Sequence, residues 1–194
     1  MKIDIQKAAR RDTPVLRQLY ELYCHDFSEY TQSDVADNGM YTDDGFLKDA
    51  WPNRNWSAWL ARVDDRLAGF AWVRFGSLFR PEDPQTRQLD AAGLLAGDHA
   101  LIEEFFVMRK YRRRGVGAAV AQRLFERFNG VWEVSEMIEN TPAQAFCRTV
   151  IDRYTGGKYI EVVLDTELWR GPVQVFRNPV NNSDSRNPAE LRSA

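Results

Sequence analysis

Cysteine and histidine are scarce in this chain of 194 residues, and its net charge is close to zero. It has two cysteines and two histidines, and its 26 Lys and Arg nearly balance its 28 Asp and Glu, so the formal net charge is −2. Two cysteines do not build a disulfide framework or a Cys-rich metal site. His25 and His99 are too far apart for an H-x-x-x-H pair, so we expect no metal. The near-neutral charge argues against a nucleic-acid partner.

Long apolar runs are also missing. No stretch approaches the ~20 residues that a membrane-spanning helix needs, and the N-terminus lacks the apolar core of a secretory signal. We therefore expect a reduced, cytoplasmic protein with no membrane partner. A composition of 44% hydrophobic and 28% charged residues is ordinary for a globular protein. This length favours a single domain, since domains commonly have about 100–200 residues.

Hydrophobic periodicity and turn residues predict strands and helices along most of the chain. The predicted strands are residues 3–8, 56–63, 67–75, 100–108, 131–138, 159–164 and 173–176, and the predicted helices are residues 13–30, 115–128 and 141–154. This order implies an α/β fold with one mixed sheet and helices on both faces. Residues 76–99 are predicted to be a long connection. We expect one domain over residues 1–177 and a disordered polar tail over residues 178–194.

The segment from Leu101 to Phe128 carries most of the chemical information. Five of the six residues from 109 to 114 are basic, and Gly115 and Gly117 open the helix that follows. A helix N-terminus offers unpaired N–H groups and a partial positive charge, and glycines let a phosphate approach the backbone. These residues predict a site for a compact phosphorylated ligand. A Walker A motif is absent, and Val120 stands where a dinucleotide fingerprint needs its third glycine.

Two motifs in this region resemble the GNAT superfamily of acyl-CoA-dependent N-acyltransferases. The run Arg112-Arg113-Arg114-Gly115-Val116-Gly117 fits R/Q-x-x-G-x-G/A, the acyl-CoA pyrophosphate loop of that family, and residues 140–146 fit its N-x-x-A-x-x-F element. The strand and helix beside the loop are especially similar to the spermidine/spermine type of acetyltransferase. The resemblance covers roughly residues 2–177. It implies a largely antiparallel sheet of six to seven strands, with two central parallel strands that splay apart for the cofactor.

The resemblance also implies acetyl-CoA or coenzyme A as co-substrate, without a metal. Backbone groups of three strand residues would pair with the pantetheine arm, and backbone N–H groups of the loop would hold the pyrophosphate. Asn140 would hydrogen-bond the pantetheine or the nearby backbone. The implied cofactor-binding residues are Phe105, Phe106, Val107, Arg112, Arg113, Arg114, Gly115, Val116, Gly117, Ala118, Asn140 and Ala143.

Transfer to an amine needs a base, because only the deprotonated amine has a lone pair for attack. The strand offers Glu103 and Glu104, which we expect to point to opposite faces of the sheet, since side chains alternate along a strand. We favour Glu103 as the base, because it lies four residues before Val107, where many family members carry their acidic base. A merely solvated or salt-bridged carboxylate is the alternative for either residue.

The proton donor to the departing thiolate is the point where this chain departs from the family. Many members have a tyrosine directly after the phenylalanine of N-x-x-A-x-x-F, and this chain has Cys147 there. Cys147 itself, Tyr154 or Tyr159 could take the role, and ordinary burial is the alternative for the cysteine. An acyl-cysteine intermediate is conceivable, but we expect direct transfer in a ternary complex.

Residues 25–50 carry seven acids against one lysine, a local charge of −6. Such a stretch attracts a cationic amine, or it is simply a solubilising loop. The candidate substrate-binding residues at the end of the first helix are Asp26, Ser28, Glu29 and Tyr30. Tyr23, Tyr41, Trp51 and Trp56 could add an aromatic lining.

We therefore expect an N-acetyltransferase that acts on the primary amine of a small cationic molecule. A protein lysine is an alternative acceptor. A coenzyme A-binding sensor or partner protein with lost catalysis is the alternative outside enzymes. The last predicted hairpin, with Trp169, makes a homodimer possible.

Overall fold

A computed structural model describes residues 1–42 and 55–178 of the chain. Its seven strands form one sheet with the order β1-β2-β3-β4-β5-β7-β6. Their bounds are β1 Ile3–Lys7, β2 Trp56–Val63, β3 Arg66–Phe75, β4 His99–Val107, β5 Val131–Ser135, β6 Ile160–Asp165 and β7 Arg170–Arg177. Neighbouring strands are antiparallel except for β4 and β5, which are parallel. The expected α/β fold with a mixed, largely antiparallel sheet is confirmed.

Four α-helices cover the two faces of this sheet in the described residues. They are α1 Thr13–Thr31, α2 Thr86–Ala91, α3 Val116–Phe125 and α4 Thr141–Thr155. Buried residues of α3 and α4, such as Val120 and Ile151, share a core with Val73 of the sheet. The opposite face packs on α1 through Leu16 and on α2 through Leu89. No helix in the described ranges is long and apolar enough to span a bilayer.

The elements follow the sequence patterns with a few differences. The connection at residues 76–99 contains α2, a short helix that the polar composition concealed. Strand β5 ends at Ser135 rather than at residue 138, because the chain turns there and Gln144 of α4 donates to the carbonyls of Met137 and Ile138. The acidic residues Asp43, Asp44 and Asp49, together with Trp51 and the tail after Asn178, lie outside the described residues.

The parallel pair β4–β5 opens before either strand ends. Its pairing runs from His99 opposite Val131 to Ile102 opposite Val134 and stops there, although β4 continues to Val107. Within the part of the chain that the structure describes, residues 104–107 of β4 are therefore paired with β3 on one side only. The expected splay between two central parallel strands is present at this opening.

Candidate functional site

The free edge of β4 presents the backbone of Phe105 and Val107 to the opening. The N–H of Met108 donates to the carbonyl of Ala68 on β3 at 2.8 Å, and Phe106 lies opposite Phe70. In an antiparallel ladder, hydrogen-bonded pairs alternate with pairs whose N–H and C=O groups point away. Phe106 is therefore bonded to β3, and the residues on either side of it face the opening. The ladder therefore directs the backbone groups of Phe105 and Val107 toward the opening, where the expected pairing would take place, and those of Phe106 toward β3.

A β-bulge at Glu103 changes which face the following residues occupy. Trp72 of β3 lies opposite Glu104 and Val73 lies opposite Ile102, so Glu103 is the extra residue. Before the bulge, Ile102 faces the α3–α4 side; after it, Phe105 faces that side and Phe106 faces α1. Bulges commonly re-aim side chains in this way near functional sites.

The expectation that Glu103 and Glu104 point to opposite faces is wrong because of this bulge. Glu103 accepts a hydrogen bond at 2.9 Å from Nε of Arg74. Arg74 and Trp72 are two residues apart on β3, so their side chains lie on the same face of the sheet. Trp72 stacks on Tyr20 of α1, and the hydroxyl of Tyr20 donates to Oε1 of Glu104 at 3.3 Å. Both carboxylates therefore have their partners on the α1 side of the sheet.

Glu104 lies in an aromatic environment. Tyr20 and Tyr23 both hydrogen-bond to it, and the rings of Phe70 and Phe106 pack against Tyr23. Burial is the main influence on the pKa of the Glu104 carboxyl and raises it; the hydrogen bonds from Tyr23 and Tyr20 lower it and the charge of Glu103 raises it, and the net pKa is about 7. A carboxyl with this pKa exists in both protonation states at neutral pH, which suits a group that takes up and releases a proton.

The basic turn between β4 and α3 has the backbone shape of an anion site. Arg113 and Gly115 have positive φ angles of 58° and 77°, and α3 begins directly afterwards at Val116. The first N–H groups of a helix have no acceptor within it, and the side chains of Arg113 and Arg114 are exposed. A Cβ built on Gly115 meets no atom of the described residues within 4 Å, so they leave the space beside this turn open.

Gly117 serves a different purpose from Gly115. A Cβ at Gly117 would lie 3.1 Å from the ring of Phe146 on α4, and that ring stacks on Phe105 with centroids 6.0 Å apart. The small residue therefore lets α3, α4 and the free edge of β4 meet at one place. The side chain of Val116 is fully buried, and the polar groups that Val116, Gly117 and Ala118 can offer a ligand are their backbone N–H groups.

Arg112 connects this turn to β4 and to α1. Its Nε donates to the carbonyl of Val107 at 2.7 Å, its Nη2 donates to Asp26, and its guanidinium lies 5.6 Å from the centre of the Phe106 ring. Arg109 also binds Asp26, through Nη2 at 2.7 Å. Burial raises the pKa of Asp26, but the hydrogen bonds from Arg109 and Arg112 outweigh it, and the net pKa is lowered.

The candidate substrate residues on α1 therefore have different surroundings. The carboxylate of Asp26 is engaged by two arginines, so it is a link between α1 and the basic turn rather than a free acid. Ser28 donates to the carbonyl of His25 within the helix, and Glu29 is exposed. Tyr30 packs edge-on against Phe27, with ring centroids 5.7 Å apart. Of these four residues, Tyr30 continues the aromatic stripe that begins at Tyr20 and Tyr23.

Asn140 caps the N-terminus of α4. Its Oδ1 accepts a hydrogen bond at 3.1 Å from the N–H of Ala143, which is the second of the two roles expected for Asn140, a bond to nearby backbone. The N–H of Ala143 is used in this cap. Both residues therefore position the helix that carries Phe146 and Cys147.

Cys147 lies near the opening, whereas Tyr154 does not. Burial raises the pKa of the Cys147 thiol well above its usual range, and the neighbouring carboxyl of Glu136 raises it further. Tyr154 packs against Phe125 at the far end of α3, and its hydroxyl donates to Oδ1 of Asn178 at 2.7 Å. The assignment of Tyr154 as a proton donor at the opening is wrong, because its position on α4 directs it toward the other end of the sheet.

Two residues at the opening, Tyr20 and Glu136, were missed by the sequence analysis, and Tyr23 was expected there only as an aromatic lining. Tyr20 and Tyr23 hold Glu104, and their spacing on the first helix signalled a common face but not the strand that this face would meet. Glu136, directly after β5, is buried next to Cys147, and its position in the sequence gave no signal of this contact.

The site fits the cofactor that the sequence motifs imply. The free edge at Phe105 and Val107 can pair with an extended chain, since it offers both backbone groups of Phe105 and the N–H of Val107 in a strand geometry, while the carbonyl of Val107 accepts from Arg112. The N-terminus of α3, the open space beside Gly115 and the exposed side chains of Arg113 and Arg114 suit a diphosphate. These two parts lie at consecutive positions along one chain segment, as a pantetheine arm joined to a diphosphate requires.

Comparisons with known proteins agree with this geometry. A family model described as the acetyltransferase (GNAT) family matches residues 16–150. No curated protein matches the chain by sequence.

Solved structures with the same fold include three bacterial and archaeal acetyltransferases. The ribosomal-protein-S18-alanine N-acetyltransferase from Escherichia coli has a TM-score of 0.53 and 14% identity, over 94% of this chain and 98% of that one. The PaiA N-acetyltransferase from Thermoplasma acidophilum, in complex with coenzyme A, has a TM-score of 0.54 and 11% identity, over 91% and 99%. An acetyltransferase from Thermus thermophilus has a TM-score of 0.58 and 13% identity, over 91% and 97%.

Proposed function

The chain belongs to the GNAT family of acetyltransferases, and on this premise we propose that it transfers an acetyl group from acetyl-CoA to the primary amine of a small molecule. The observation that carries the proposal is the half-buried carboxyl of Glu104, which accepts a hydrogen bond from Tyr20 and lies on the splayed part of β4, in the strand that leads into the basic turn. Acyl transfer from a thioester to an amine needs a base that deprotonates the ammonium group and a site that holds the phosphorylated cofactor. Strand β4 offers the first and the turn after it offers the second.

The cofactor is held by backbone groups and by the start of α3. Phe105 and Val107 bind the pantetheine arm, and the N–H groups from Arg113 to Ala118 bind the diphosphate. Arg112 keeps the turn in place through Val107 and Asp26. When bound, acetyl-CoA supplies the acyl group as a thioester.

Glu104 is the proposed general base. It removes a proton from the ammonium group of the acceptor, and Tyr20 and Tyr23 keep its carboxyl oriented. Burial raises the pKa of both tyrosine hydroxyls, so they stay protonated and act as hydrogen-bond donors. Glu103 is the weaker candidate, because its carboxylate is bound to Arg74 and is more exposed.

The acceptor amine binds along the aromatic stripe of α1. Tyr23, Phe27 and Tyr30 follow one another toward the basic turn, with neighbouring ring centroids 5.0 Å and 5.7 Å apart. Aromatic faces bind ammonium groups, and Glu104 lies at the start of this stripe. The stripe supports a small molecule with an apolar part next to its amine.

The amine attacks the thioester directly, in a ternary complex. The raised pKa of the Cys147 thiol keeps it protonated, and a protonated thiol is a poor nucleophile. This protonation opposes an acyl-cysteine intermediate.

The experiment measures thiol release from acetyl-CoA with a panel of amines, including peptide N-termini and lysine side chains. We expect wild-type kcat to rise as the pH increases toward about 7, because the Glu104 carboxyl must be deprotonated to act. The Glu104→Gln variant should lose activity by about 10²- to 10⁴-fold, the usual contribution of a general base, and should lose this rise. The matched variant is Glu103→Gln.

The outcomes separate the alternatives. Loss of the pH-dependent rise in Glu103→Gln, with its retention in Glu104→Gln, would assign the base to Glu103. Tight binding of coenzyme A without thiol release for any amine would contradict an enzymatic function and favour a sensor. Activity confined to lysine side chains or peptide N-termini would contradict the small-molecule acceptor.

A further inference from the structure

A second buried carboxyl lies on the other side of the opening. Glu136 comes directly after β5 and is 5% exposed. It continues the alternation of Trp132 and Val134, whose side chains face α3 and α4. Glu136 is therefore on the opposite face of the sheet from Glu104, below the start of α4.

The immediate neighbours of Glu136 leave room for a proton on its carboxyl. Nε2 of Gln174 donates to Oε2 at 3.1 Å, whereas Oε1 has no well-formed hydrogen bond within residues 1–42 and 55–178. The thiol of Cys147 is close enough for each of the two groups to shift the pKa of the other. An anionic carboxylate with a bare buried oxygen is costly, so this environment favours the neutral acid.

The charged and polar groups around Glu136 come from three elements. Arg148 of α4 forms a two-point ion pair with Glu161 of β6, at 2.7 and 2.9 Å. Gln174 of β7 donates to both Glu136 and Glu161. Burial is the main influence on the pKa of Glu136 and raises it; Cys147, Gln174 and Arg148 lower it and Glu161 raises it, and the net pKa is about 7.

Cys147 connects this carboxyl to the opening. The residue before it, Phe146, stacks on Phe105, whose backbone faces the space between β4 and β5. The pairing of β4 with β5 stops at Val134, two residues before Glu136. The sulfur of a thioester held along the free edge of β4 therefore comes next to the start of α4, where Cys147 lies.

We propose that Glu136 supplies the proton that the departing sulfur of coenzyme A takes up, and that the thiol of Cys147 passes it on. This inference rests on the proposed function. When the C–S bond breaks, its electron pair stays on the sulfur of coenzyme A. That sulfur takes the proton of the Cys147 thiol, and the Cys147 sulfur takes the proton of the Glu136 carboxyl. Glu136 is left as a carboxylate and regains a proton from solvent before the next turnover.

The relay solves a difficulty that Cys147 has on its own. Its pKa is raised well above the usual range, so giving a proton to a thiolate of ordinary pKa, ~8.5, is unfavourable. A carboxylic acid with a pKa of about 7 is a stronger acid than that thiol. The full transfer from Glu136 to coenzyme A is therefore favourable, with Cys147 protonated before and after.

The test is the pH dependence of kcat for wild type, Glu136→Gln, Cys147→Ser and Cys147→Ala, with saturating acetyl-CoA and the best amine of the panel. Because the donor must be protonated and the base deprotonated, wild-type kcat should be bell-shaped, with its maximum near pH 7. Glu136→Gln should lose the fall at higher pH. Its kcat should be about 10²-fold below wild type at pH 6, the lower end for a general acid, because a thiolate leaves readily. The two enzymes should converge at pH 9, where Glu136 is already ionised.

The cysteine variants test the relay. Cys147→Ser keeps a hydroxyl that can pass a proton and should retain the fall, whereas Cys147→Ala should lose it. The control is Glu161→Gln, which removes a negative charge beside Glu136 without removing the donor. It should keep the fall and move it to lower pH. Thermal unfolding and the dissociation constant for coenzyme A should stay near wild type in Glu136→Gln.

Each contrary result contradicts a specific part of the proposed relay. Retention of the wild-type fall in Glu136→Gln overturns the role of Glu136 while leaving the acetyltransferase activity intact. Retention of the fall in Cys147→Ala overturns the passage through the thiol. Absence of acyl transfer in the wild type overturns both this proposal and the proposed function.

Discussion

The Glu133→Gln substitution should destabilise the fold strongly, and more at low pH than at high pH. Glu133 is fully buried and accepts hydrogen bonds from Oγ of Ser77 at 2.6 Å and from the N–H of Leu78 at 2.7 Å. Nδ1 of His99 lies 2.6 Å from its Oε1. This one carboxylate therefore ties the connection after β3 to two strands of the sheet.

The partners of His99 show that its ring is charged. Nε2 lies 3.1 Å from the carbonyl of Leu95, and Nδ1 faces the Glu133 carboxylate. Since both partners only accept, both ring nitrogens must carry a proton. Burial lowers the pKa of His99, but the hydrogen bond and charge of Glu133 outweigh it, and the net pKa is raised above 6.5.

The magnitude follows from leaving a buried imidazolium without its counter-charge. Removing one partner of a buried ion pair costs about 3–5 kcal/mol. For a protein of 150–250 residues, this corresponds to a fall in Tm of roughly 6–20 °C. Glutamine keeps the size of the side chain, so the loss reports charge and hydrogen bonding rather than a cavity.

The contribution of His99 to the free energy of unfolding changes with pH in opposite directions in wild type and in Glu133→Gln. In wild type the folded-state pKa of His99 lies above its unfolded value of ~6.5, so this stabilisation is complete below that value and is lost as the pH rises through the folded pKa. In Glu133→Gln, the two contributions of Glu133 that raise the pKa of His99 are gone, and burial, which is the largest influence, lowers it together with the charge of Arg177, against the hydrogen bond to Leu95. The variant therefore gains stability as the pH rises, and the difference between the two proteins shrinks.

The assay is urea unfolding of both proteins at pH 5.5 and pH 8.5, with Glu161→Gln as the matched control. Glu161 is also bound to an arginine, but both side chains are partly exposed, so its loss should cost about 1 kcal/mol or less. A Glu133→Gln protein within 1 kcal/mol of wild type, or a deficit equal at both pH values, would refute the reasoning.

Two further predictions concern the binding of coenzyme A, measured by calorimetry. Gly115→Ala should cost about 1 kcal/mol of stability, because the φ of 77° at this position is unfavourable for alanine. It should also weaken the binding of coenzyme A at least about tenfold, since the methyl group occupies the open space beside the turn. Unchanged affinity would show that the diphosphate does not bind at this turn. Arg112→Lys keeps the charge but cannot bind Val107 and Asp26 together, so it should weaken binding by a similar factor; an unchanged dissociation constant would show that charge alone is sufficient.

The sequence patterns predicted those features that depend on neighbouring residues. The basic run and two glycines identified the turn before α3, because a helix N-terminus is a local structure. Alternating apolar residues located every strand of the described sheet, with errors at their ends. The short helix α2 escaped because six residues give too little periodicity to recognise.

The features that were missed depend on contacts between segments that are distant in the sequence. The bulge at Glu103 exists only relative to β3, and without it the two glutamates would lie on different faces. The pairing of Asp26 with Arg109 and Arg112 joins residues more than 80 positions apart. The sequence alone therefore could not show that an acid counted toward substrate attraction is bound to the basic turn.

The splay of β4 from β5 also explains how two carboxyls of similar acidity can have different roles. Glu104 and Glu136 each have a pKa of about 7, and burial is the largest cause in both. Their proposed roles are separated by position, because Glu104 faces α1 and its aromatic residues, whereas Glu136 faces α4 and Cys147. In the proposed reaction, a proton is taken up on one face of the sheet and another is given up on the other face, with the thioester held between them. The pairing of β4 with β5 stops at Val134, and in this proposal the opening lets both carboxyls act on the same bond.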